Sequence, residues 1–182
     1  MKVFMGGSRQ LVRLNKNMRQ YFDDTLKKSP TIFVGDANGS DKAIQQYLFE
    51  KKYQNVLVFC SGAHCRNNIG SWEVRFVQCD RNSRDFAFYA AKDRQMSMEA
   101  DMGLMLWDGK SKGTLNNILN LLENEKKSSV YFSPKKLLIN LASLRDLTHL
   151  LKYCDHASLD YFEKSLHLSD RIHSDYGQLS LV

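Results

Sequence analysis

Six short apolar runs, alternating with stretches of helical period, constrain this chain more than any other feature of it. They are Lys2–Met5, Thr31–Val34, Val56–Phe59, Phe86–Tyr89, Gly103–Trp107 and Val130–Phe132. Runs this short and apolar on both faces are strands of a parallel sheet covered by helices. Between them, Met18, Tyr21, Phe22 and Leu26 recur at helical spacing, as do Ala43, Ile44, Tyr47 and Leu48. Asp93 is expected to cap a brief helix through Glu99. Leu115, Ile118, Leu119 and Leu122, at i, i+3, i+4 and i+7, mark the strongest helix. The expected fold is therefore α/β: a doubly wound, Rossmann-like, mainly parallel sheet with helices on both faces. It covers residues 1–133.

Pro134 is expected to end the alternation. Residues 134–182 are read as a helical C-terminal extension. There Ser143 is a plausible N-cap for a helix whose face carries Leu144, Leu147, Leu151 and Cys154, and Leu159, Phe162 and Leu166 mark another.

In doubly wound folds the ligand sits beyond the C-terminal ends of the strands, where strand order reverses. Three loops with that placement share one character: Gly6-Gly7-Ser8-Arg9, Gly35-Asp36-Ala37-Asn38-Gly39-Ser40-Asp41 and Asp108-Gly109-Lys110-Ser111-Lys112-Gly113-Thr114. Each puts glycine after a strand and before a helix. The backbone can approach a ligand closely there, and the helix N-terminus offers unpaired N–H groups and the positive end of its dipole. An anionic ligand, a nucleotide or nucleotide derivative, is the expectation.

Two common fingerprints are absent. Gly103 and Gly109-Lys110-Ser111 stand one residue too far apart for a Walker A loop, and Gly103 belongs to a strand. No G-x-G-x-x-G occurs.

The segment Ala100–Thr114, with the Gly6–Arg9 and Gly35–Asp41 loops, resembles the SLOG superfamily. This Rossmann-like group includes DNA-processing protein A, the lonely-guy phosphoribohydrolases and bacterial nucleotide-sensing domains. More distantly, the segment is similar to nucleoside 2-deoxyribosyltransferases. The resemblance spans about residues 1–133 and implies nucleotide binding at Gly6, Gly7, Ser8, Arg9, Gly35, Asp36, Asn38, Gly39, Asp41, Arg66, Asp108, Gly109, Ser111, Gly113 and Thr114. Gly109, Ser111, Gly113 and Thr114 would hold the phosphate. Asp36, Asn38 and Asp108 would orient ribose hydroxyls. In the phosphoribohydrolases a glutamate for N-glycosidic cleavage follows three residues after the threonine. Here that position is Asn117, and an amide is neither nucleophile nor base. A sensor or binding module is the first reading. An enzyme that cleaves or transfers an N-glycosidic bond, with Asp36, Asp41, Glu73, Asp101 or Asp108 as its carboxylate, is the second.

Arg66 could pair a phosphate. Trp72 could stack on a base or anchor its loop. Arg94 is expected on the surface, and Met96, Met98, Met102 and Met105 in the core.

The net charge is +6, and the excess lies within residues 1–134, twenty basic against fourteen acidic residues. This favours anionic ligands. The basic residues are scattered among acids, so nucleic acid is a possible partner but not the favoured one. Cys60, Cys65, Cys79 and Cys154 form no C-x-x-C pair, and with His64 they fit no zinc spacing. Free thiols and no metal are expected, and no cofactor is implied. Apolar runs of about five residues fall far short of the roughly 20 needed to cross a bilayer, and the N-terminus does not read as a signal peptide. A cytoplasmic protein is expected, forming a homodimer through the extension or its neighbouring helices.

Overall fold

A computed structural model describes residues 1–78 and 85–178. One seven-stranded sheet runs through it. Its strands are β1 (Lys2–Gly7), β2 (Thr31–Gly35), β3 (Val56–Ser61), β4 (Glu73–Val77), β5 (Met102–Trp107), β6 (Lys127–Phe132) and β7 (Leu137–Leu141). Their order is β4-β3-β2-β1-β5-β6-β7, and all neighbours are parallel except β6 and β7. The chain builds outward from β1 to β4 and then returns to lay β5 on the other side of β1. The switch point is thus between β1 and β5.

Strand alternation divides the core in two. Val3, Met5, Ile32, Val34, Val58, Leu104 and Leu106 face α1 (Lys16–Leu26) and α2 (Ser40–Glu50). Phe4, Phe33, Phe59, Met105 and Trp107 face the other way, into a core shared with α3 (Phe86–Glu99) and α4 (Lys112–Glu123). Both faces are dry, which is why these strands read as continuous apolar runs. Among the described residues, no helix is long and apolar enough to cross a membrane.

Three sequence expectations are corrected. Phe86–Tyr89 is not a strand but the first turn of α3. Asp85 caps it, accepting from the Phe88 N–H at 3.0 Å, so Asp93 lies inside the helix instead of starting it. The fourth strand is Glu73–Val77. It is an edge strand with Phe76 exposed, so it lacks the unbroken apolar signature of its neighbours. Pro134 does not end the sheet. It sits in a turn closed by the Lys136 N–H on the Ser133 carbonyl at 3.2 Å. The turn returns the chain as β7, with Leu137 opposite Phe132.

The helices of the extension are α5 (Leu144–Leu151), α6 (His156–Leu166) and α7 (Leu168–Gln178). Ser143 caps α5, and Asp146 returns the bond in a capping box. Leu147, Leu150, Phe162 and Leu166 join the same core as Trp107 and Leu115.

Candidate functional site

The three glycine-rich loops meet at the C-terminal edge of the sheet, around a cleft of about 720 Å³ over the switch point. That is the size of a small-molecule site. Ser8 ties the loops together. It is fully buried, and its N–H donates to the Leu106 carbonyl at 2.8 Å. Its carbonyl accepts from Ser40 Oγ at 2.5 Å, and its hydroxyl accepts from the Asp108 N–H at 3.1 Å. Gly39, at φ +91°, lies so close to the Arg9 carbonyl that a Cβ would stand 2.3 Å from it. Only glycine allows that contact in that backbone conformation.

The third loop is built by Asp108. Its Oδ1 accepts from the N–H groups of Lys110 at 2.9 Å and Ser111 at 2.8 Å. Ser111 then caps α4, with its hydroxyl near the Thr114 N–H at 3.4 Å. The Thr114 hydroxyl joins Ser111 Oγ at 3.1 Å and Ser8 Oγ at 3.2 Å. The Leu115 N–H bonds the Ser111 carbonyl. The first-turn N–H groups left for an anion are therefore those of Lys112 and Gly113. A Cβ on Gly113 would meet nothing nearer than Ser111 Oγ at 4.0 Å, and its φ lies outside the left-handed region. This is the bare stretch of backbone facing the cleft. Arg9 and Lys110 also line the cleft and form no ion pair among the described residues. Lys112 Nζ lies 4.3 Å from the centre of the Phe86 ring.

A charged cluster lines the cleft as well. Lys92 of α3 is 3 % exposed. It pairs closely with Asp93 and reaches Asp41 Oδ2 at 3.9 Å. Gly35 leaves room for this pair: a Cβ there would lie 2.3 Å from Asp41 Oδ2 and 2.6 Å from Lys92 Nζ. Burial pushes the Asp41 carboxyl up to about 6, against the opposing pull of Lys92. Burial disfavours the Lys92 ammonium, but Asp93 and Asp41 outweigh it and raise its pKa. Beside them Asp36, also buried, accepts from the Arg66 backbone N–H at 3.1 Å, from Nε at 3.0 Å and from Nη2 at 2.5 Å. Burial raises the Asp36 carboxyl, and the Arg66 bonds more than reverse this, holding it below the usual carboxylate range. The guanidinium also covers the Tyr89 ring at 4.8 Å.

Of the residues singled out from sequence, Gly7, Arg9, Asn38, Asp41, Arg66, Asp108, Ser111, Gly113 and Thr114 line the cleft. Gly6, Ser8, Gly35, Asp36, Gly39 and Gly109 lie behind its walls. Of the three expected ribose ligands, Asp36 is held by Arg66, while Asp108 gives Oδ1 to its own loop and Asn38 gives Oδ1 to Asn67 Nδ2 at 3.1 Å. Trp72 is the loop anchor. It is buried and donates to the Tyr53 carbonyl at 3.0 Å. Arg94 is exposed, as expected, and Met98 is exposed where a core position was expected. Lys92, Asp93, Phe86 and Tyr89 were not assigned to the site from sequence. The adjacent buried-type and charged residues of Tyr89–Asp93 were their only signal.

Free thiols are corrected in part. Cys60 and Cys65 form a disulfide with Cα atoms 5.3 Å apart, and Cys154 is free. Cys79 lies outside the described residues. Burial pushes the Cys154 thiol up to about 11, so at neutral pH it is held in the protonated form. Among the described residues, the grouping of metal-ligand types is Asp36, Cys60 and Cys65. Its sulfurs are bonded to each other, and its carboxylate is held by Arg66.

Comparison with protein families, with curated proteins and with solved structures finds no match for this chain.

Proposed function

We propose that the cleft binds a nucleotide or nucleotide derivative, and that the chain acts as a cytoplasmic sensor or binding module of SLOG type. The phosphate meets the N–H groups of Lys112 and Gly113, with Arg9 and Lys110 supplying charge. The observation that carries this reading is the bare Gly113 backbone at the N-terminus of α4, facing a cleft at the switch point. The likeness of the three loops to the SLOG superfamily supports it. Calorimetric titration with the nucleoside monophosphate that most raises the melting temperature tests it. Gly113→Val puts a branched side chain where the phosphate must approach, without backbone strain. It should abolish binding and leave the fold intact. Unchanged affinity in the folded variant would reduce the loop to a turn and a cap.

A second reading has its own support. Asp41 and Asp93 line the cleft on either side of Lys92. They supply the carboxylates that Asn117 does not, as cleavage of an N-glycosidic bond requires. Incubation with nucleoside monophosphates and assay for free base separates the two readings. Release of base that Asp93→Asn abolishes would make the chain an enzyme.

A further inference from the structure

The Cys60–Cys65 bridge spans a sequence separation of 5 and ties β3 to the loop that carries Arg66, a residue of the cleft wall. Cys65 precedes Arg66 directly, and the Arg66 backbone N–H and guanidinium both bond Asp36. The Asp36 carboxylate and the two sulfurs lie within 4.8 Å of one another. A constraint on Cys65 is thus a constraint on the Arg66–Asp36 pair. Three features suit this bridge to reversible exchange. A bridge over so few residues removes little loop entropy from the open chain, so it adds less stability than one that closes a long loop. Its two ends differ in access: Cys60 is fully buried in β3, whereas Cys65 is half-buried, so a small thiol approaches through Cys65. The reduced form also has a place prepared. Cys65 Sγ lies 3.3 Å from the Asn67 carbonyl, to which a thiol donates and a disulfide sulfur, having no hydrogen, cannot.

We infer that Cys60 and Cys65 form a redox switch on Arg66, opened and closed by exchange with a small thiol of the glutathione class. A glutathione thiolate bonds Cys65 Sγ as the bond to Cys60 breaks, and Cys60 takes up a proton. A second glutathione thiolate displaces Cys65 and leaves as glutathione disulfide. The protein gains the two electrons and two protons that two glutathione thiols lose. Reduction frees Cys65 from β3 and loosens the Arg66–Asp36 pair, and oxidation fastens it. The switch does not depend on what the cleft binds, and it is read without a ligand. The full chain is equilibrated with glutathione over a range of reduced-to-oxidised ratios, trapped with an alkylating reagent and mapped by mass spectrometry. The Cys60–Cys65 bond should form in excess oxidised glutathione and be lost in excess reduced glutathione. Amide hydrogen exchange over residues 62–68 should run about tenfold faster in the reduced protein, within the loop entropy that so short a bridge removes, while β1 and β5 stay unchanged. Cys65→Ser, whose hydroxyl can also bond the Asn67 carbonyl, should exchange at the reduced rate whatever the ratio. A bond that never forms, or one that survives excess reduced glutathione, would overturn the switch. So would equal exchange in the two redox states.

Discussion

Lys92 offers the sharpest test of the electrostatics beneath the cleft. Lys92→Met keeps most of the apolar stem and removes the ammonium. Asp41 and Asp93 then face each other without the cation that holds them. Breaking a buried pair by removing one partner costs about 3–5 kcal/mol. For a chain of this length that lowers the melting temperature by about 6–20 °C, at about 2–4 °C per kcal/mol. The cost must also depend on pH. Burial already raises Asp41 to about 6 while Lys92 opposes the rise. Without Lys92 the folded-state pKa climbs further. A group whose folded pKa exceeds its unfolded pKa loses stability as pH rises between the two values. The variant should therefore be hurt more at pH 7.5 than at pH 5. Urea unfolding at both pH values gives the numbers. The double variant Lys92→Met, Asp41→Asn removes one of the two stranded charges and should recover part of the loss. A cost below about 1 kcal/mol at pH 7.5, against the range for broken buried pairs, would refute the reasoning. So would a cost equal at the two pH values.

Asp41 alone should leave a signature in the wild type. Its folded pKa of about 6 stands above the ordinary 3.8, so its contribution falls by about 3 kcal/mol as pH rises from about 4 to 6. Asp41→Asn should remove that slope in urea unfolding, and parallel profiles would contradict it. Thr114→Val removes a hydroxyl that is tied to Ser8 and Ser111. It should cost about 1 kcal/mol of stability and change nucleotide affinity less than threefold. A tenfold loss in titration would return that hydroxyl to the phosphate. Leu137, Tyr153 and Tyr161 leave apolar surface exposed on the extension. Light scattering at micromolar concentration should give a homodimer, and a monomer would count against it.

Five of the seven strands were legible because both of their faces are buried. Val58 packs toward Ile44 and Phe59 toward Met96, so no polar residue interrupts the run. The same signal fails where burial is one-sided. In β4, Glu73 is exposed and Arg75 is drawn to Glu99 of α3, so the segment reads as loop. Phe86–Tyr89 fails for the opposite reason. Four apolar residues fit a strand or a helical turn equally well, and the Asp85 cap decides between them. β7 was hidden by Pro134. Proline stops a helix or a central strand, but it also opens a turn.

The candidate site divides along a similar line. Its backbone was legible, since glycine, serine and aspartate after a strand state what the chain must do there. Its side-chain partnerships were not, because they depend on which loops touch. Asp36 and Asp108 have the right chemistry for a ribose, yet each meets a nearer donor from the protein itself, Arg66 or the Lys110 and Ser111 N–H groups. A carboxylate oxygen that closes onto its own scaffold positions a site and is not available to a ligand. The groups left over are the informative ones. They are the Gly113 backbone and the Asn117 amide one turn below it.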